Sequence, residues 1–156
     1  MSKQWIATLV AGLVSVAASA QQDTALVLQD AWVRALPPTQ SNTAAYVTVT
    51  NTAGTAVTIT GGSVDFANTL EIHTTREIDG YMRMEQLPGL TVAPGATVSL
   101  APGGTHLMLL ELSRMPVAGE STRICLDLAS GDTACTDAAV RKSAQQGQTH
   151  THHQHH

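Results

Sequence analysis

The chain has 156 residues, with 8 Lys/Arg against 12 Asp/Glu and a net charge of −4. No basic cluster is present that could hold a phosphate backbone, which argues against nucleic-acid binding. No nucleophile elbow, HExxH helix, P-loop or paired-carboxylate cleft appears, so the sequence reads as a non-enzyme.

The first five residues carry one positive charge, at Lys3, and residues 6–18 form a mostly apolar, uncharged run. That run is shorter than the roughly 20 residues a membrane span needs. Ala18-Ser19-Ala20 follows with the small residues a signal peptidase reads, and polar residues begin at once. Residues 1–20 are therefore expected to be a signal peptide, with the mature chain starting at Gln21 in an oxidising compartment and no stable membrane insertion afterwards. No cysteine closes the apolar run, which argues against lipid attachment there. Removing residues 1–20 leaves 136 residues with a net charge of −5, long enough for one domain with a core. Trp32, Tyr46, Phe66 and Tyr81 are the only aromatic residues of that part, so Val, Leu, Ile and Ala must fill the interior.

Along the mature chain the apolar residues alternate with period two, and the pattern predicts an all-β, single-domain sandwich. Residues 46–50 form a strand rich in β-branched side chains. A turn at 51–54 leads to a strand at 56–60, which Gly61-Gly62 is expected to break. Strands at 70–77 and 81–87 pair as a hairpin across Asp79-Gly80. Strands at 90–92 and 97–100 flank Ala93-Pro94-Gly95. Pro102-Gly103-Gly104 leads into a strand at 106–112. A last hairpin joins 122–128 to 133–140 around Ser130-Gly131-Asp132. The domain is expected to occupy 21–143, and residues 144–156 form a polar, disordered tail.

Four residues in these strands share one chemistry. His73 is followed after ten residues by Met84, after twenty-one more by His106, and after one more by Met108. Thioether sulfur is soft and selects copper(I), and imidazole nitrogen also suits copper. His106 and Met108 lie two apart on a strand, so both point away from the face of Leu107 and Leu109. Their Cβ atoms are roughly 7 Å apart at about 3.3 Å of rise per residue, close enough to reach one metal. Ile72 points inward, which turns His73 outward beside Glu71 and Thr75. Met82 and Met84 share a face of the strand that the Asp79-Gly80 turn brings alongside. A lone methionine on a strand is usually core filler, but two histidines and two methionines at these intervals together favour a copper(I) site.

That spacing resembles the motif of the periplasmic copper-A chaperones called PCuAC. The stretches 89–96 and 100–109 are also similar to the family, and the resemblance covers roughly residues 31–140. It implies a cupredoxin-like Greek-key β-sandwich that binds copper(I) through His73, Met84, His106 and Met108. It further implies delivery to the copper-A site of cytochrome oxidase subunit II, often alongside a Sco-type thiol protein, in the periplasm. Met82 and Met115 fall outside the motif and are expected to be core residues or neighbours of the ligands. The runner-up reading is a copper-sequestration or resistance protein with no delivery role.

Neither Cys125 nor Cys135 is followed by the nearby histidine that a blue-copper electron carrier requires. They fall symmetrically about Ser130 in the last hairpin, and a disulfide is the default in an oxidising compartment. The chain ends with His150, His152, His153, His155 and His156. Nitrogen-only ligands of this kind suit copper(II), so the tail is expected to be a second metal site.

Overall fold

In the computed structural model, residues 25–147 are described. Ten strands follow one another: β1 (Leu26–Arg34), β2 (Thr43–Asn51), β3 (Val57–Ser63), β4 (Ala67–Ile78), β5 (Tyr81–Leu87), β6 (Leu90–Val92), β7 (Thr97–Leu100), β8 (His106–Leu112), β9 (Ser121–Leu128) and β10 (Thr133–Arg141). The segment assigned to the tail opens with one 3-10 turn, Ala144–Gly147. Residues 1–20, expected to be a signal peptide, and the tail histidines lie outside the described residues.

The strand order is β5-β4-β8-β2-β1-β10-β9-β3-β6, and a further pairing of β3 with β4 at Gly62↔Leu70 closes the sheet on itself. Seven strands thus form a closed barrel, and β5, β6 and β7 extend from its wall. Closure leaves the seven wall strands with fewer open edges than two separate sheets would have. The interior is aliphatic, as the scarcity of aromatics requires. Val33, Val49, Leu107, Leu109 and Leu126 are fully buried there.

Two strands depart from the sequence reading. β1 was not expected, because its alternation is broken. The pairing of β1 with β2 slips between Gln29 and Trp32, where Asp30 has φ 52. This bulge buries Ala31, Trp32 and Val33 in succession. Gly61-Gly62 does not break β3, which runs through both residues while its pairing with β9 shifts between Ile59 and Gly61. A Cβ at Gly62 would stand 2.2 Å from the Cys125 carbonyl oxygen. The glycine permits a close backbone approach at the seam where the barrel closes.

Asn51 is a buried polar group with its hydrogen bonds met. Its Nδ2 donates to the carbonyls of Thr55 and Val92, and its Oδ1 accepts from the Ala53 amide. One side chain thereby ties together the end of β2, the turn after it and the end of β6. Cys125 and Cys135 sit directly opposite each other on β9 and β10 and are joined by a disulfide.

Candidate metal centre

β4 lies between β5 and β8, and its register decides which side chains meet. His73 faces His106, and Glu71 faces Met108 across to β8. Thr75 faces Met84 and His73 faces Gln86 across to β5. Directly opposed residues of an antiparallel pair project to the same side, as do residues two apart on a strand. His73, Met84, His106 and Met108 therefore all stand on one outer face, with Ile72, Leu107 and Leu109 buried behind them.

His106 is only 5% exposed. Its Nδ1 donates to the Gly104 carbonyl at 2.9 Å. A carbonyl only accepts, so the proton is on Nδ1 and Nε2 keeps its lone pair. The loop between β7 and β8 fixes that carbonyl: Ala101 N–H donates to Thr105 O, and Gly104 N–H donates to Ala101 O. Gly103 takes φ 82 within it.

His73 is arranged the same way around a different acceptor. Its Nε2 donates to Glu71 Oε2 at 2.7 Å, the carboxylate standing two residues back on the same face. Its Nδ1 is buried and has no hydrogen-bond partner. An unpaired buried ring nitrogen carries a desolvation cost unless something else coordinates it. Both imidazoles thus have one nitrogen committed to an oxygen and one lone pair to spare, the arrangement that metal-ligating histidines adopt. Their ring centroids are 6.1 Å apart. Two imidazoles on one ion lie roughly 5–6 Å apart when each metal–nitrogen bond is about 2 Å.

Ring contacts continue from His106 into the fold. Tyr46 on β2 lies 6.4 Å from His106 by ring centroids, and Trp32 on β1 lies 4.4 Å from Tyr46. The Arg34 guanidinium covers both Trp32 and Tyr46. Burial pushes the Tyr46 hydroxyl above its ordinary pKa of 10.0, and the Arg34 charge partly opposes that. These residues, with Glu71 and Gly104, set the histidines in place, and sequence reasoning gave none of them a role. Glu71 carried a signal, since its position two before His73 puts it on the ligand face. Trp32 carried none, because the Asp30 bulge hides its register.

The thioethers are more open. Met108 is partly buried between Glu71 and Ala44, its neighbours across the sheet. Met84 is 54% exposed. Met82 is 63% exposed, so it is not a core residue. Met115 is partly buried and lines a cavity of about 780 Å³ with Pro37, Pro38 and Pro116, a site that includes none of the four candidate ligands. Among the described residues no three His, Cys, Asp or Glu gather in a way that could hold a metal. The donor set depends on its sulfurs, which makes it soft.

Residues 26–140 match the family described as "Putative lipoprotein LpqE-like". The chain belongs to this family, which is the PCuAC family of copper-chaperone domains. The copper(I)-bound solution structure of DR1885 from Deinococcus radiodurans is 35% identical; the match covers 80% of this chain and 83% of that one, with a TM-score of 0.62. The copper-bound PCuAC domain from PmoF2 superimposes with a TM-score of 0.63 over 76% of this chain and 94% of that domain. At 21% identity this second likeness bears on the fold alone. A Leifsonia xyli protein named "Putative lipoprotein Lxx21020" is 31% identical over 145 residues, covering 87% of this chain and 86% of its own. The PCuAC fold is cupredoxin-like, so the single all-β, cupredoxin-like domain expected from the sequence is the one that forms.

Proposed function

We propose that this protein is a periplasmic copper chaperone that carries one copper(I) on His73, Met84, His106 and Met108. The observation that carries this reading is the pair of imidazoles, each with one nitrogen held by an oxygen and the other left with its lone pair, beside two thioethers on the same face. Copper is cargo here, not a resident cofactor. Four filled positions leave no place for water or substrate, which fits a carrier better than an enzyme.

Delivery to an acceptor is favoured over sequestration by the openness of Met84, which an incoming ligand can displace. The acceptor is the copper-A domain of cytochrome oxidase subunit II, with a Sco-type thiol protein as the possible companion. The tail histidines His150, His152, His153, His155 and His156 form a second, copper(II)-preferring site. Export through residues 1–20 places both sites in the periplasm, where the Cys125–Cys135 disulfide persists.

Copper(I) stoichiometry and affinity, measured by chelator competition, test the folded site. The Met84→Ala/Met108→Ala double variant should bind copper(I) at least about 100-fold more weakly, more than the loss of an outer-shell partner costs. An unchanged affinity would sink the four-ligand reading. Mixing the loaded protein with an apo copper-A domain separates delivery from storage: a chaperone gives its copper up, and a sequestration protein keeps it. Truncation after Gln148 should remove one copper(II) equivalent and leave the copper(I) site intact.

A further inference from the structure

The four ligands are graded in exposure, and the gradient continues past them along one strand. His106 is 5% exposed and the His73 side chain 16%. Met84 is 54% exposed, and Met82, two residues nearer the turn, is 63% exposed. β8 pairs with β4 no further than His73↔His106, whereas β5 continues alongside β4 to Ile78↔Tyr81. Residues 74–85 therefore form a two-stranded ribbon projecting beyond the barrel wall. Met82 and Met84 lie on the ligand face of that ribbon, with Cβ atoms roughly 7 Å apart. Glu77 is directly opposite Met82, at a Cβ separation of roughly 5 Å for such a pair. No cation pairs with the Glu77 carboxylate among the described residues.

Core packing does not account for Met82, because nothing buries it. Exposed apolar groups gathered in one place mark a site of interaction, and Met82 and Met84, two apart on the ligand face, are two of the five large hydrophobic residues exposed in the described chain. The chemistry of this patch is specific. It offers two soft thioethers and one anionic oxygen, a set that accepts a singly charged soft cation.

We infer that Met82, Met84 and Glu77 form a second, weaker copper(I) seat on the ribbon, through which copper enters and leaves the His73/His106 seat. The inference rests on the four-ligand reading. Met84 belongs to both seats. Copper moves outward as bonds to the Met82 sulfur and a Glu77 oxygen form and those to Met108, His73 and His106 break in turn, while Met84 stays attached. No electron is transferred, and the metal remains copper(I) throughout. Glu77 neutralises the charge of the ion once it has left the buried imidazoles.

The test is the rate at which copper(I) leaves. Full-length mature protein carrying one copper(I) is mixed anaerobically with excess bathocuproine disulfonate, and the coloured complex is followed in time. Met82→Leu should slow extraction on the order of tenfold, and Glu77→Gln by a few-fold, each tenfold being a modest change in barrier. Equilibrium affinity for the first copper(I) should stay within about threefold of wild type, since neither residue holds the ion at rest. Met82→His should recover the rate, because imidazole also ligates copper(I) and Leu cannot. Wild-type extraction rates in both Met82→Leu and Glu77→Gln would overturn the second seat. So would a loss of affinity in Met82→Leu accompanied by faster extraction, which would place Met82 in the inner set. Failure of the wild type to hold copper(I) at all would instead refute the four-ligand reading.

Discussion

The two histidines and the exposed methionine stand on supports of different kinds. His106 rises from β8, which is flanked by β4 and β2 in the closed wall and is backed by Leu107 and Leu109. Its ring is held by the Gly104 carbonyl and by contact with Tyr46. Met84 rises from β5, an edge strand that pairs with β4 alone and leaves almost all of its length exposed. A two-stranded ribbon has little stability of its own. The wall therefore fixes the two imidazoles, and on the proposed reading the ribbon supplies a ligand that can give way. A carrier needs both properties, because a site that is rigid all round holds its cargo too long.

The sharpest way to probe this difference is the same substitution on each support. Gly62 lies in the wall at the closing seam, and an added Cβ there meets the Cys125 backbone. A backbone atom cannot swing aside, so Gly62→Ala should cost about 3 kcal/mol in urea unfolding and weaken copper(I) binding with it. Gly80 lies in the ribbon turn at φ 80 with nothing within 4 Å of an added Cβ. Gly80→Ala should cost only roughly 1 kcal/mol, the strain of a left-handed conformation. It should leave the wall and the His73/His106 seat intact. Equal losses from the two variants would mean that the ribbon and the wall unfold as one unit.

Most of the wall, and all of the ribbon, was legible in the sequence. Asp79-Gly80 announced the hairpin, and the observed φ values of 53 and 80 are those of the tight turn this dipeptide favours. Alternation around Leu107 and Leu109 put His106 and Met108 on the outer face, where the register places them. β1 escaped because a bulge breaks the period that reveals a strand. Gly61-Gly62 misled because glycine signals a stop far more often than a close crossing. The partners of the ligand histidines were harder still. The Gly104 carbonyl is a backbone atom whose direction depends on a loop, and no residue type encodes it. The Tyr46 contact depends on which strands are neighbours, a fact of topology that lies outside any local pattern.

A smaller effect should come from the disulfide in the hairpin of β9 and β10. Cys125 and Cys135 close a loop of 10 residues. In the chain-entropy treatment this contributes roughly 2–3 kcal/mol, through the unfolded chain. Cys125→Ser/Cys135→Ser should lose about that much in urea unfolding. Copper(I) affinity should persist at temperatures where the variant stays folded, because neither residue touches β4, β5 or β8 in the strand order. Affinity lost in parallel with stability would show that the wall transmits strain from the disulfide to the histidines.

The smallest effect is electrostatic and should leave both supports untouched. Arg114 donates to Glu120 at 2.8 Å across the loop between β8 and β9. That hydrogen bond holds the Glu120 carboxyl below its ordinary value of 4.5. A carboxyl whose pKa is depressed in the folded state adds stability above its unfolded value. The contribution disappears as the pH falls through the folded value. Both side chains are well exposed, so solvent screens most of the interaction. Glu120→Gln should therefore shift Tm by no more than about 2 °C at pH 7. The difference from wild type should vanish at pH values well below 4.5, where the wild-type carboxyl is also neutral. Because the pair contacts neither the ribbon nor the ligand strands, copper(I) extraction from Glu120→Gln should match wild type. A slower or faster extraction would show that this loop is coupled to the metal face, and the division between a fixed wall and a yielding ribbon would have to be redrawn.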